Sequence, residues 1–433
     1  MLSITLDFTV PLLAGMASTF IVLWIYSLPL RRLPEDSHWS QIARHYHHLR
    51  IARTFAIIWI TTAACASSYG RLTGRGDGWM LALVGLAAII GCMTGSRWAA
   101  RGLHLPPALR GGGAGTMLTG WLLFPGFPSI LVLMALTLPI GLQPAAWIIA
   151  AVILMINLAL VMGGSVWLLQ LLGLLRPVDP TLEMIVRKLA TEQQLPLRRV
   201  MQTDLPMANA FAFPWTRDIG FTSATLATLD ESELSSIIAH ELGHLRENLV
   251  TRWKRLTGLL SIVTIGLAPA ALHDGQTLTA LALFASYLLI SRLCTWLHKR
   301  LEISADQHAH RSESGQGTYA RALEKIHAAS LIPAVLHPRH PYPSLYDRMT
   351  DAGVVPDFAR PNPPGRMAPL IGGILATVIF FFLSEALHHT AEDVLDRWKS
   401  SGSTLGRNVA APPPPIRSSS PSSTPSFPPP PFH

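Results

Sequence analysis

The chain has 433 residues, of which 49% are hydrophobic and only 14% charged, with a formal net charge of +8. Ordinary soluble domains carry about 25% charged residues, so this composition excludes a free-standing soluble enzyme and points to a chain held largely in a membrane. The basic residues sit just outside apolar stretches rather than in one stripe with interleaved aromatics, which argues against a nucleic-acid partner. Cys65, Cys92 and Cys294 are widely spaced, which excludes a disulfide framework and an all-thiolate metal site.

In chain order, apolar runs of spanning length fall at about 8–30, 54–70, 79–95, 117–142, 144–166, 257–272, 278–297 and 367–387, predicting up to eight membrane helices. The runs 54–70 and 257–272 are short. Pro125, Pro128 and Pro139 are expected to kink or interrupt 117–142, and loss of any one span would invert the topology. The first run has no basic residue before it and ends at Arg31 and Arg32, the reverse of a cleavable signal peptide, so it is expected to stay as an anchor.

Arg31, Arg32, Arg44, Arg50 and Arg53 crowd the loop 31–53, and Arg97, Arg101 and Arg110 the loop 96–115, which assigns both loops to the cytoplasmic side. RHYHHLR at 44–50 reads as an interfacial basic segment rather than a metal site. By parity the N-terminus lies outside, and the polar segment that starts at 176 is cytoplasmic.

The expected layout is a multi-span region 1–175 of about five helices and a first polar part 176–256. A transmembrane hairpin 257–297, a second polar part 298–360, a last helix 361–390 and an exported tail 391–433 follow. The tail ends in APPPPIRSSSPSSTPSFPPPPFH, which has no pattern able to bury a core. It reads as disordered or polyproline-like, either a spacer or ligand for an envelope partner or an inert extension.

The polar segment contains AHELGHLREN at 239–248. With 17 His and 26 Asp and Glu in the chain, random order produces H-E-x-x-H in roughly a few per cent of such sequences, so the motif needs support. Zinc hydrolysis requires three protein ligands and an open position for water. His240 and His244, four residues apart, share one helical face, and Glu241 between them is placed to accept a proton from that water.

Asp230 and Glu233 form a capping signature, and Leu234, Ile237, Ile238, Leu242 and Leu245 an apolar stripe, so a helix is predicted with both histidines facing inward. Beyond the hairpin, RLEISADQHAH at 300–310 offers Glu302 as a third ligand, with Asp306 one turn on to hold a histidine's other ring nitrogen. The helical rise sets these ligands roughly 8 to 18 Å above the membrane on adjacent helices. His308 and His310 are read as structural or exposed, because three ligands and water already complete a catalytic site.

The run MANAFAFPWTRDIGFTSATLATLDESELSSIIAHELGH, followed across a membrane hairpin by EISAD, resembles the membrane-integral zinc peptidases of the HtpX and CAAX prenyl protease-like family over roughly residues 180–350. That resemblance implies a mainly α, polytopic membrane protein carrying a zincin-like (gluzincin) α+β domain interrupted by the hairpin. It implies one zinc ion held by His240, His244 and Glu302, with Glu241 as general base and Asp306 behind the ligands. Asn209, Ala210 and Phe211 correspond to an edge strand that pairs with substrate backbone, and MANAFAF and IGFTS around the turn PWTRD independently read as a hairpin with an open edge.

The chain departs from the family in its late motif, which here reads HPRHPYPSLYDRM at 337–349. Counting back from Arg348 puts Tyr342 at the family's histidine position, and His340 is the nearest histidine. Either can donate to an oxyanion; the reading leans to Tyr342, with Arg348 as support and His337 exposed.

The expected function is zinc endopeptidase activity on membrane-associated or misfolded membrane proteins near the cytoplasmic face. The rivals are a sensory receptor that cleaves itself or a regulator, and a transporter or scaffold with an accidental motif. The partners expected are the bilayer and a protein or peptide substrate; oligomeric state and prenyl processing are left open.

Overall fold

The computed structural model describes residues 2–73, 79–101, 103, 114–313, 315–337, 340, 342–365 and 367–409. The Pro-rich end of the tail and Arg110 lie outside these residues. Two compact units are present, Met1–Glu385 and Ala386–His433. The described residues of the second are helical.

Helices α1 (Leu2–Arg31), α2 (Trp39–Thr73) and α3 (Trp79–Ala100) pack on one another and are followed by α4 (Ala114–Leu123), α5 (Gly126–Thr137), α6 (Pro144–Ala159) and α7 (Ser165–Leu171). The polar segment contains β1 (Arg176–Pro177), α8 (Pro180–Glu192), β2 (Arg199–Thr203), β3 (Ala210–Phe213), β4 (Asp218–Thr222), α9 (Ser223–Thr228), α10 (Glu231–Leu245) and α11 (Leu249–Leu256). The hairpin α12 (Leu260–His273) and α13 (Thr277–Ser312) precedes α14 (Thr318–Ser330), α15 (Leu345–Asp351) and α16 (Met367–Val409). The chain is mainly α, with a small mixed sheet.

Seven helices among the described residues are long and apolar enough to cross a membrane. The expected span 117–142 is not one of them: it is split into α4 and α5 at Phe124 and Pro125. Proline has no N–H to donate to the preceding turn, and its ring crowds the carbonyl there. The pair nevertheless traverses the helical layer. Gly115 at its start lies against Leu174, beside the polar segment. Past its end, the Leu142 N–H donates to Asp274 Oδ2 at 2.6 Å, in the turn between α12 and α13. The crossing is therefore made by two short helices instead of one.

One expectation is corrected. The stretch 31–53 is loop only up to residue 38, because Ala43, Tyr46, Leu49 and Ala52 recur every three residues and bury a stripe of α2 against Leu23, Ala99 and Leu331. RHYHHLR is therefore helix rather than loop. Helix α13 runs unbroken from the apolar run through Glu302 and Asp306.

The junctions between α1 and α2 and around the end of α3 share the side of the polar segment. Trp39 meets Phe358 edge-on at 5.4 Å, and an Arg31 guanidinium nitrogen donates to the Ala99 carbonyl at 3.3 Å.

The sheet has the order β1-β2-β4-β3, with β2 and β4 parallel and the other neighbours antiparallel. One face carries Val200, Ala210, Ile219 and Phe221 into the main core with Ile238 and Leu242 of α10 and Tyr319 of α14. The other face turns to the membrane helices, where Met201 packs with Val166 and Leu169 of α7, and Phe213 against them.

Candidate active site

Helix α10 begins as its sequence requires. Asp230 accepts the Glu233 N–H at 2.9 Å, Glu233 accepts the Asp230 N–H at 3.1 Å, and Lys325 pairs with Glu233. A capping box of this kind satisfies two end-of-helix donors. Ile237, Ile238, Leu242 and Leu245 are buried and fix the rotation of the helix, so His240, Glu241 and His244 are buried too. The two imidazole rings stand 5.0 Å apart and nearly perpendicular.

The third side chain arrives because α10 and α13 approach closely at Gly243. A Cβ on that glycine would sit 3.2 Å from Ala305 Cα. The small-residue contact leaves room for Glu302, one turn before Ala305, to face the histidines. Its carboxylate oxygens lie 3.7 Å from His240 Nε2 and 3.5 Å from His244 Nε2.

The other ring nitrogens are committed. Tyr319 donates its hydroxyl to Asp306 Oδ1 at 2.6 Å, so His240 Nδ1, 2.7 Å from that hydroxyl and 3.2 Å from Asp306, is the donor. His244 Nδ1 lies 3.2 Å from Glu247 Oε1, which Arg255 also holds. Both Nε2 atoms therefore present lone pairs to a carboxylate, leaving three acceptors within 4.8 Å of one another and no donor among them. Among the described residues this is the group that could hold a metal ion.

The surrounding charges fit one. Glu241, Glu247, Glu302 and Asp306 gather here, with Arg255 on Glu247 and Arg348 on Asp306, so the three acceptors stand in a carboxylate-rich site. Burial pulls the His244 imidazole down, but its bond to Glu247 and the charges of Glu241 and Glu302 outweigh burial and raise it. The site thus draws positive charge to the point where the three acceptors meet. Two imidazoles and a carboxylate are also a usual donor set for catalytic zinc.

Glu241 stands beside this group. Burial, opposed by both histidines, pushes its carboxyl up, and the carboxylate accepts the Ala212 N–H of β3. Arg348 donates to both Asp306 oxygens, with Nε at 2.8 Å, and to Tyr319 at 3.1 Å. It sits in the same buried cluster as Asp306, though 42 residues later in the chain.

Tyr342 and His340 separate by environment. Tyr342 is 48% exposed on the rim of a cleft of about 620 Å³ that Asp306 and Arg348 also line. Burial, then the charge of Glu302, push its hydroxyl up to about 12. His340 accepts the Tyr342 N–H at 3.2 Å and feels Arg50 rather than the carboxylates. His337, expected to be exposed, is half-buried and lines the cleft. His308 bonds Gln193 at 2.8 Å, and His310 meets Tyr319 edge-on at 5.2 Å.

Strand β3 is the sheet's edge, next to α10. Asn209 accepts the Thr222 N–H at 3.0 Å, and Phe211 pairs with Gly220. By alternation, Asn209 and Phe211 turn their backbone groups to β4, and those of Ala210 and Ala212 turn outward.

Tyr319, Glu247 and Arg255 escaped the sequence reading. Glu247 carried a signal, three residues after His244 on the same helical face. Tyr319 and Arg255 carried none, because only the packing of α14 and α11 delivers them.

Residues 178–365 match Peptidase family M48. The chain is 29% identical to Protease HtpX homolog 1 of Sulfolobus acidocaldarius, covering 35% of this chain and 55% of that protein. Against a Protease HtpX homolog of Helicobacter pylori it is 26% identical, covering 49% of this chain and 71% of that protein. Against Protease HtpX homolog 1 of Saccharolobus solfataricus it is 36% identical, over 24% and 32% respectively. The chain thus spans between about a third and seven tenths of these relatives, and its matched part holds His240, Glu241, His244 and Glu302. Residues 178–365 thus resemble peptidase family M48, and with helices of membrane-spanning length and composition around that part the chain is similar to the HtpX proteases.

Proposed function

We propose that the chain is a membrane zinc endopeptidase that cleaves membrane-associated or misfolded membrane proteins close to the cytoplasmic face of the bilayer. The observation that carries this reading is the convergence of His240 Nε2, His244 Nε2 and the Glu302 carboxylate beside Glu241, next to the edge strand β3. His240, His244 and Glu302 hold the zinc ion, which when bound lowers the pKa of a water and polarises the scissile carbonyl. Asp306 with Tyr319, and Glu247 with Arg255, fix the tautomers and aim of the two imidazoles.

The substrate lies extended along β3 and bonds the outward N–H and carbonyl of Ala210 and the outward carbonyl of Ala212, whose N–H is held by Glu241. Glu241 removes a proton from the attacking water and returns it to the leaving amine; its raised carboxyl suits both roles. Tyr342 donates to the oxyanion, a choice over His340 that rests on its position among the site's charges. The cytoplasmic placement rests on Arg31, Arg32, Arg97 and Arg101, which share the domain's side of the helical layer.

The test is cleavage of an unstructured, membrane-tethered reporter by reconstituted protein. The wild type should cut it, Tyr342→Phe about 100-fold more slowly, and His340→Ala at the wild-type rate. An intact reporter with the wild type would contradict the function, and equal rates for wild type and Tyr342→Phe would remove Tyr342 from it.

A further inference from the structure

A second cavity, of about 360 Å³, lies between the sheet and the membrane helices. Phe211 and Phe213 of β3, Phe124 at the α4–α5 break, Val161, Trp215 and Leu256 form its apolar walls. Three local features open it. Pro125 ends α4, so Phe124 stands 69% exposed at the gap. A π-helical turn at Leu160–Gly164 interrupts the passage from α6 to α7, with Gly163 at φ +131°, a conformation that favours glycine. At the same residue a Cβ would sit 2.5 Å from Thr216 Cγ2, so only glycine lets the β3–β4 turn seat against the bulge.

The cavity borders the reaction site through one strand. Ala212 donates its N–H to Glu241, and the Phe211 and Phe213 rings on either side of it, 6.5 Å apart, project from the opposite face of the sheet into the cavity. Gly220 of β4 lies beneath both rings. Side chains of a strand alternate between faces, and a peptide added to a sheet edge keeps the alternation of its neighbour. A substrate strand on β3 therefore sends alternate side chains to the α10 face and into this cavity.

Resting on the peptidase reading above, we propose that the cavity is a specificity pocket for one large apolar side chain of the substrate, of the Leu, Met or Phe class, at a fixed position near the scissile bond. Its volume lies just above the roughly 300 Å³ at which ligand pockets begin, and its walls are mainly aromatic and aliphatic. Arg252, Arg255 and His298 are confined to the lining contributed by α11 and α13.

The experiment digests a random peptide library with the full-length reconstituted protein and maps the cut sites by mass spectrometry. Wild type should enrich Leu, Met or Phe about tenfold at one position, the order expected for apolar pocket discrimination. Val161→Trp, which fills the cavity, should shift that position alone toward Ala and Gly. Leu256→Ala, which enlarges it, should shift it toward Trp. Cleavage without positional enrichment, or identical profiles for all three proteins, would overturn the pocket while leaving the peptidase intact. Absence of wild-type cleavage would remove both. If Val161→Trp lost a co-purifying lipid with its cleavage profile unchanged, the cavity would belong to an acyl chain and the proposal would fall.

Discussion

Glu241→Gln should retain its bound zinc and lose about 10³-fold in the rate of peptide-bond cleavage, within the range by which positioned acid–base groups accelerate reactions. The amide keeps the size of the carboxylate but cannot take a proton from water. Glu241 bonds Ala212 rather than either Nε2, so the substitution leaves the imidazoles and Glu302 in place. The check is parallel measurement of metal content and reporter cleavage on the same purified sample. Activity within tenfold of wild type would assign the base to another group.

Arg348→Met should be the most destabilising single change at the site. Arg348 and Asp306 have side chains 10% and 11% exposed, and the guanidinium donates to both carboxylate oxygens. Burial draws the guanidinium's proton affinity down, but Tyr319 and Asp306 more than offset it and hold it above the ordinary range. Breaking such a pair on one side strands a buried charge at a cost of about 3–5 kcal/mol, whereas removing both charges is often close to neutral. Thermal unfolding of the purified protein should therefore fall sharply for Arg348→Met and recover in large part when Asp306→Asn is added. Metal affinity should stay about 10- to 100-fold low in the double variant, because the support behind His240 is still changed. A double variant as unstable as the single would mean that Asp306 is stabilised mainly by Tyr319 and His240.

Much of the site was legible because its chemistry is written in local spacing. His240, Glu241 and His244 share one helical face, Asp230 and Glu233 announce the start of that helix, and Glu302 and Asp306 repeat the four-residue spacing on the second helix. The membrane hairpin between them is a plain apolar pattern.

What escaped depends on tertiary contact. Tyr319 reaches His240 only because α14 folds over α10, and Gly243 gives no hint in sequence that it admits Ala305. The span 117–142 announced its break through Pro125, but that its two halves still cross the layer follows from Gly115 and Asp274, far apart in sequence. In α2 the basic residues of RHYHHLR obscured the three-residue repeat of Ala43, Tyr46, Leu49 and Ala52 that makes it a packed helix. The outward pair on β3 also required the register with β4, because reading MANAFAF alone does not tell which residues face a neighbour.

The central claim is that two lone pairs and a carboxylate meet around a cation. Elemental analysis of protein purified without chelator tests it most directly. The wild type and Glu241→Gln should each carry about one zinc per chain, and His240→Ala and Glu302→Ala almost none, since a catalytic site holds its ion through three protein ligands. Wild-type protein free of zinc, or zinc retained in full by both ligand variants, would contradict the account.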